Sequence, residues 1–323
     1  MKNWQLTKKR ELTLYEAEPS KLNPECEDIK VRVTKAVVDS SDISIYEAGE
    51  PCIVLCRSGV GLVSESNSEA FKKGQRVFLA PYEKLADGKK VTRGMNANGY
   101  LQDYVLAPPH CVKILPEGIS EAQALFIDDI ALAINAFERL KVAKSEHILI
   151  FGASALGAIL AQIAVYYQAI PVIIDDDKKL LEKAKECGVY YTINLKEDNL
   201  NESVREITGG KLARHAAWDC DAFSGLSRMM FSYLKRGSNM CLMGFDPAAE
   251  RLVADISPVL KNELILMGVN NGAKEIDGAI NMLANEAVSV ECYLGKSASF
   301  ADAPKFFKKL DRNQISYRNW IEI

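Results

Sequence analysis

His147-Ile148-Leu149-Ile150-Phe151-Gly152-Ala153-Ser154-Ala155-Leu156-Gly157 is the stretch on which the fold turns. The apolar run His147 to Phe151 reads as a buried strand, and a helix over Leu156 to Tyr167 follows it. Between them Gly152 permits a tight turn, and Gly157 allows helix and strand to pack closely. The free N–H groups and the positive end of the helix then face an anion, as in a pyrophosphate site. The middle glycine of a G-x-G-x-x-G pattern is replaced by Ser154, whose Cβ crowds a phosphate and whose hydroxyl could donate to one. Gly152, Ser154, Ala155, Leu156 and Gly157 are therefore candidate cofactor-binding residues. A glycine turn alone also occurs at ordinary strand–helix junctions. Here the next strand, Pro171 to Ile174, ends on Asp175, roughly 20 residues beyond the turn, where an acid accepts from ribose hydroxyls. Asp176 and Asp177 follow, although acids also favour any solvated helix start. Strand, turn, helix and acid together predict NAD as the cofactor.

Outward from this unit the rhythm repeats. Short apolar strands are expected at Val172 to Ile174, Tyr190 to Ile193, Ala216 to Asp219, Met240 to Met243 and Leu264 to Val269, with amphipathic helices such as Lys178 to Glu186 between them. This alternation predicts an α/β protein with a doubly wound parallel sheet over residues 131–271. Gly244 and Val269, at the ends of the later strands, complete the expected cofactor-binding set. The first third is β-rich: Ile29, Val31 and Val33 alternate with Lys30, Arg32 and Thr34, and Gln75 to Leu79 and Tyr104 to Leu106 add strands. A helical pattern begins near Ser120 and runs through Ala124, Ile127, Ala131, Ile134 and Phe137. After residue 272 two helical stretches and the ending Arg318 to Ile323 are expected to rejoin the first domain, making it discontinuous (1–130 with 272–323).

At 323 residues the chain suits two domains. A net charge of −3 and a pI near 5.8 speak against a nucleic-acid binder. No run of about 18 apolar residues suggests a membrane span, and the start Met1 to Leu6 has no apolar signal core. Eight scattered cysteines without a C-x-x-C pair read as reduced, mostly buried thiols of a cytoplasmic protein.

With these residues in view, the chain resembles the medium-chain dehydrogenase/reductase superfamily, which includes zinc alcohol and polyol dehydrogenases. Gly74-Gln75-Arg76-Val77, Gly99-Tyr100-Leu101-Gln102-Asp103-Tyr104-Val105 and Ile114-Leu115-Pro116-Glu117-Gly118 resemble that family's G-D-R-V, G-x-F-A-E-Y-V and K-I-P-D-G. The resemblance implies a GroES-like β-rich domain joined to the Rossmann domain, with the active site in the cleft between them. It also implies zinc motifs, and those depart. C-G-x-D is matched by Asp39-Ser40-Ser41-Asp42, G-H-E by Cys56-Arg57-Ser58, and the third ligand position falls on Asp128. Tyr82 to Asn98, the place of the four-cysteine structural zinc lobe, contains no cysteine. A guanidinium stays protonated and cannot ligate zinc, so no metal is expected.

If the fold is kept, Asp39, Arg57 and Asp128 converge where zinc would sit. They are either a catalytic cluster or a purely structural ion network. Ser41 stands where relatives keep a hydroxyl that relays the substrate proton. A metal held by Cys56 with Asp39 and Asp128 is the less favoured alternative. Tyr46 and Tyr100 could line the cleft or simply pack. The catalytic candidates are thus Ser41, Arg57, Asp39 and Asp128. The function expected is zinc-independent alcohol–carbonyl interconversion on a small polar substrate. Quinone or enone reduction, and NAD binding without turnover, are the alternatives. The apolar strand Leu264 to Val269 at the sheet edge, which relatives pair across a two-fold axis, predicts a homodimer.

Overall fold

The computed structural model describes residues 1–18, 21–85, 87–220, 230–244, 256–310 and 316–323. The chain forms two compact units, Met1–Asp128 with Leu294–Ile323, and Asp129–Tyr293.

The second unit is built on six parallel strands in the order Tyr191–Asn194, Ile170–Asp175, His147–Phe151, Ala213–Asp219, Leu234–Met243, Ile265–Val269. The chain starts at His147–Phe151, winds outward through two strands, then jumps back to lay Ala213–Asp219 on the other side. That reversal creates a crevice at the carboxyl ends of the two central strands. The helix Ala155–Tyr166 is buried from Ala155 through Ala164, which explains its apolar composition on every face. The helix Lys178–Glu186 buries only Leu180, Leu181 and Ala184, the narrow stripe that its amphipathic pattern predicts. Ala213–Asp219 and Leu234–Met243 begin earlier than their apolar runs suggest. Arg214, Lys235 and Arg236 are exposed at the opening edge of the sheet, while their backbones already belong to paired strands.

The return to the first unit falls at Leu294, not at residue 272. The helix Ile276–Ala284 and the turn after it stay with the second unit because they are tied there by hydrogen bonds. Gln162 donates to the Ser289 carbonyl at 3.0 Å and accepts from the Ser289 N–H at 2.7 Å.

The first unit carries a seven-stranded sheet. Its main path is Leu294–Ser299, Arg318–Glu322, Ile29–Val38, Gly59–Ser66, Arg76–Leu79, Val112–Ile114, and Tyr104–Ala107 also pairs with Ile29–Val38. In the central strand Ile29, Val31 and Val33 are buried and Arg32 is exposed, as the alternation requires. Lys30 departs from it: its stem is buried while its ammonium lies 3.1 Å from Glu65 and over the ring of Tyr104. Tyr46 and Tyr100 are packing residues, each buried with its hydroxyl donating 2.8 Å to a carbonyl, of Arg10 and Ala80 respectively. The cysteines correct the expectation of mostly buried thiols. Only Cys56, Cys111 and Cys241 are buried, Cys26 and Cys52 are exposed, and Cys187, Cys220 and Cys292 lie between. Among the described residues no helix is long and apolar enough to cross a membrane.

Candidate functional site

In the first unit, D-S-S-D builds a helix start. Asp39 is the N-cap of the helix Ser40–Ala48; its carboxylate accepts from the Ser41 and Asp42 N–H groups, and Asp42 reaches back to the Asp39 N–H at 3.1 Å. This reciprocal pair stabilises the first turn. Asp42 is fully buried and also accepts from the Cys56 N–H at 2.6 Å, pinning the loop that carries Arg57. Burial first, then the charge of Asp39, pushes the Asp42 carboxyl well above the usual carboxylate range. Ser41 is buried rather than a surface loop serine, and its hydroxyl donates to Asp39 Oδ1 at 2.5 Å.

Arg57 is the hub. Its Nη2 lies 2.9 Å from Asp128 Oδ2 and donates to the Tyr82 hydroxyl at 3.0 Å, and its Nε is 3.6 Å from Asp39 Oδ2. The structure therefore brings Asp39, Ser41, Arg57 and Asp128 together. Burial opposes the charged guanidinium, but Asp128, followed by Tyr82, Asp39 and Asp42, more than offsets it, so the charge is held on. Asp128 Oδ1 and Arg57 Nε are buried without a hydrogen-bond partner among the described residues. Nη1 makes no hydrogen bond to a described residue. A second arginine, Arg318, adjoins the cluster. Its neighbour Asn319 pairs with Val38, next to Asp39, and its guanidinium lies over Phe126. Burial pulls the Arg318 pKa down, and Asp39 and Asp128 partly restore it.

The stretch Tyr82 to Asn98 is held by other means than cysteines. It forms the hairpin Tyr82–Lys84 with Lys90–Thr92, and Arg93 Nε lies 2.9 Å from Glu83 with both side chains largely buried. The same hairpin supplies Tyr82 to Arg57. Tyr82 and Arg318 carry no local sequence signal, because only the fold brings positions so distant in the chain beside Asp39. Asp42 belongs to the motif Asp39-Ser40-Ser41-Asp42, which gives its position and not its role.

In the second unit the glycine turn has the expected backbone. Gly152 has φ +110°, and a Cβ on Gly157 would lie 2.0 Å from the Gly152 carbonyl oxygen, so no side chain fits there. Ser154 departs from the expectation of a hydroxyl free for phosphate. It caps the helix Ala155–Tyr166 by accepting from the Leu156 and Gly157 N–H groups, and its own proton goes to Asp219 in a short hydrogen bond. Asp219 ends the strand across the switch point and is buried. Sequence reasoning passed over it, although an acid ending a strand of this series is a visible signal. Asp175 is also buried: its carboxylate accepts from the Ala153 N–H at 2.6 Å and the Asp177 N–H at 2.8 Å, bracing the turn. Burial raises its pKa. Of the other acids, Asp176 is exposed and 3.1 Å from Lys196, and Asp177 caps the helix Lys178–Glu186. Gly244, with φ +80°, and Val269 lie at the same carboxyl edge of the sheet. A pocket of about 250 Å³ lined by His147, Lys211, Arg214 and Lys235 opens at the opposite edge and is not part of this turn.

A mixed β unit with a helix-capped polar cluster, and a doubly wound unit with a Gly152–Gly157 turn, define a two-part dehydrogenase architecture. Residues 25–117 match the model of the alcohol dehydrogenase GroES-like domain, and residues 155–285 that of the zinc-binding dehydrogenase. An uncharacterized zinc-type alcohol dehydrogenase-like protein of Haemophilus influenzae is 25% identical over 310 residues, 90% of each chain. Sorbitol dehydrogenase of Bacillus subtilis is 22% identical, covering 82% of this chain and 81% of its own. An alcohol dehydrogenase from Escherichia coli CFT073, solved with NADH, superposes with a TM-score of 0.85 at 20% identity, covering 100% of this chain and 99% of its own. That last likeness concerns the fold. The chain belongs to the medium-chain dehydrogenase/reductase superfamily, an oxidoreductase family.

Proposed function

We propose that the chain is an NAD(H)-dependent oxidoreductase that interconverts an alcohol and a carbonyl on a small polar substrate without zinc. The observation that carries this reading is Arg57 seated between Asp39 and Asp128, at the positions where relatives hold their metal. A zinc ion does not fit this donor set, because a fixed cation already occupies the carboxylates and cannot itself ligate. Among the described residues no three His, Cys, Asp or Glu side chains are arranged to hold a metal. When bound, the nicotinamide would donate or accept the hydride; the chain's own residues handle charge and proton. Arg57 Nη1 is the donor left for a substrate oxygen as charge develops on it. In the oxidation direction, the substrate hydroxyl passes its proton to Ser41 Oγ as Ser41 passes its own to Asp39.

Preference for NADH over NADPH is supported by the acids Asp175, Asp176 and Asp177, whose charge opposes a 2′-phosphate. A homodimer is supported by the edge strand Ile265–Val269, on which Ile265 and Leu266 are 55% and 41% exposed. The free thiols fit a cytoplasmic setting. A second reading, dinucleotide binding without turnover, is favoured by the departure from the family's ligand motifs at Asp39, Arg57 and Ser58 and by Ser154 in place of the middle glycine.

Cofactor oxidation assayed on the purified protein with aldehydes, ketones, enones and quinones separates these readings. Turnover of aldehydes or ketones supports the proposal, turnover of enones or quinones alone replaces it with a reductase, and none at all favours the second reading. NADH should bind about tenfold tighter than NADPH or better, a difference of about 1.4 kcal/mol; equal or tighter NADPH binding overturns the preference. About one tightly held zinc per chain by elemental analysis overturns the metal-free mechanism.

A further inference from the structure

One pair of side chains in the second unit has no part in the reading above. Cys187 caps the carboxyl end of the helix Lys178–Glu186, and Cys292 lies in the short helical turn Glu291–Tyr293. They are 105 positions apart in the chain, yet their sulfurs are 2.7 Å apart. That separation is a little longer than the roughly 2.05 Å of a disulfide bond. Both are partly exposed, so a small oxidant can reach them. The surroundings hold them in place. Lys183, one helical turn before Cys187, donates to the Cys292 carbonyl at 2.6 Å, and the neighbouring Tyr293 hydroxyl is within 3.3 Å of the Ala153 and Leu180 carbonyls.

We propose that Cys187 and Cys292 form a reversible dithiol–disulfide site, which fastens the helix after Asp175–Asp177 to the segment that touches the glycine turn. The two sulfurs have unequal roles. The hydrogen bond shared with Cys187 holds the Cys292 thiol below its usual range against some burial, with Lys183 assisting and Glu186 opposing. The same hydrogen bond and burial push Cys187 upward. Because the Lys183 ammonium sits 2.6 Å from the backbone carbonyl of Cys292 itself, Cys292 is assigned as the attacking thiolate and Cys187 as the resolving thiol. With a peroxide as oxidant, the Cys292 sulfur attacks the O–O bond, becoming a sulfenic acid as the first water leaves. Cys187 then attacks that sulfur, the S–S bond forms and the second water leaves. Two thiols lose two electrons and two protons, and the peroxide is reduced to two waters. A dithiol reductant reverses the change.

The test is peptide mapping of the full chain under non-reducing conditions after treatment with hydrogen peroxide, with free thiols alkylated. The expected product is the Cys187 and Cys292 peptides joined and lighter by two hydrogens, and separated again by dithiothreitol. Both cysteines recovered as alkylated thiols, under conditions that oxidise the exposed Cys26 and Cys52, overturn the proposal. In Cys187→Ser a sulfenic-acid probe should label Cys292. The order of steps is overturned if Cys292 stays unlabelled there while Cys187 is labelled in Cys292→Ser. The wild-type map decides the cross-link even if a variant fails to fold.

Discussion

Replacing Arg57 with Met removes the cation from between Asp39 and Asp128 while keeping most of the side-chain volume. Its contacts at 2.9 Å and 3.6 Å correspond to gross attractions of about 6 and about 5 kcal/mol at an effective dielectric of about 20. Desolvation cancels much of this in the wild type, because the three side chains are only 10–18% exposed. That cost is not recovered when one partner is deleted. Two carboxylates are left facing each other, with Arg318 the neighbouring cation, so the expected loss is about 3–5 kcal/mol. Arg57→Lys, a compact charge that cannot span both carboxylates and Tyr82, should lose about 1–3 kcal/mol. Urea unfolding at neutral pH measures both. Adding Asp128→Asn to Arg57→Met completes a double-mutant cycle, in which the pair should show a coupling of about 1–3 kcal/mol. A loss below about 1 kcal/mol, the range of an exposed ion pair, or strict additivity in the cycle, would refute the view of Arg57 as the hub of this cluster.

Three further outcomes follow from specific contacts. Gly157→Ala places a Cβ 2.0 Å from the Gly152 carbonyl, so the turn must open. NADH affinity, measured by fluorescence titration, should fall at least tenfold, or about 1.4 kcal/mol, and an unchanged affinity would contradict the placement of the cofactor there. Asp42 has a folded pKa above its unfolded value, so the folded chain holds that proton more tightly and the wild type loses stability as pH rises from about 4. Asp42→Asn titrates nothing in this window and should gain on the wild type between pH 4 and 8; a constant gap in urea midpoints would count against the shift. Leu266→Glu on the exposed edge strand should reduce the mass seen by light scattering from dimer to monomer, whereas a change at exposed Lys274 should not. A wild-type monomer at micromolar concentration removes the dimer.

Much of the fold was legible because its signals are local. The alternation Ile29, Val31, Val33 and the apolar strand before Gly152 are set by period and turn chemistry, which a short window contains. The D-S-S-D and C-R-S motifs gave positions, and the fold supplied their convergence. What local reading could not supply was the partner list. Whether Ser154 faces a phosphate or Asp219 depends on which strand lies across the switch point, a property of strand order. The return at Leu294 rather than at residue 272 has a related cause. A helix after the last Rossmann strand carries no mark of which unit it packs on, and the decision is made by long-range bonds such as Gln162 with Ser289.

On the proposed reading, an arginine in a metal's place would keep the electrostatics of the site and change its chemistry. Two carboxylates are satisfied by any cation between them, so a guanidinium such as that of Arg57 can stand between Asp39 and Asp128 without a metal. A metal ion, however, can exchange a bound water for a substrate oxygen and lower the pKa of what it binds. A guanidinium cannot exchange a ligand, and it favours charge on a neighbouring oxygen only through N–H groups fixed in its plane. In Arg57, Nε and Nη2 face Asp39, Asp128 and Tyr82, so only Nη1 remains to meet an incoming oxygen. In the proposed mechanism, stabilisation of developing charge would come from one aimed donor and the proton would travel by a separate route, the hydrogen bond of Ser41 to Asp39. The proposed mechanism needs no ligand exchange, so it predicts a rate indifferent to a chelator but sensitive to Ser41→Ala. Inactivation by prolonged dialysis against a strong chelator, restored by zinc alone, is the result this arrangement cannot accommodate.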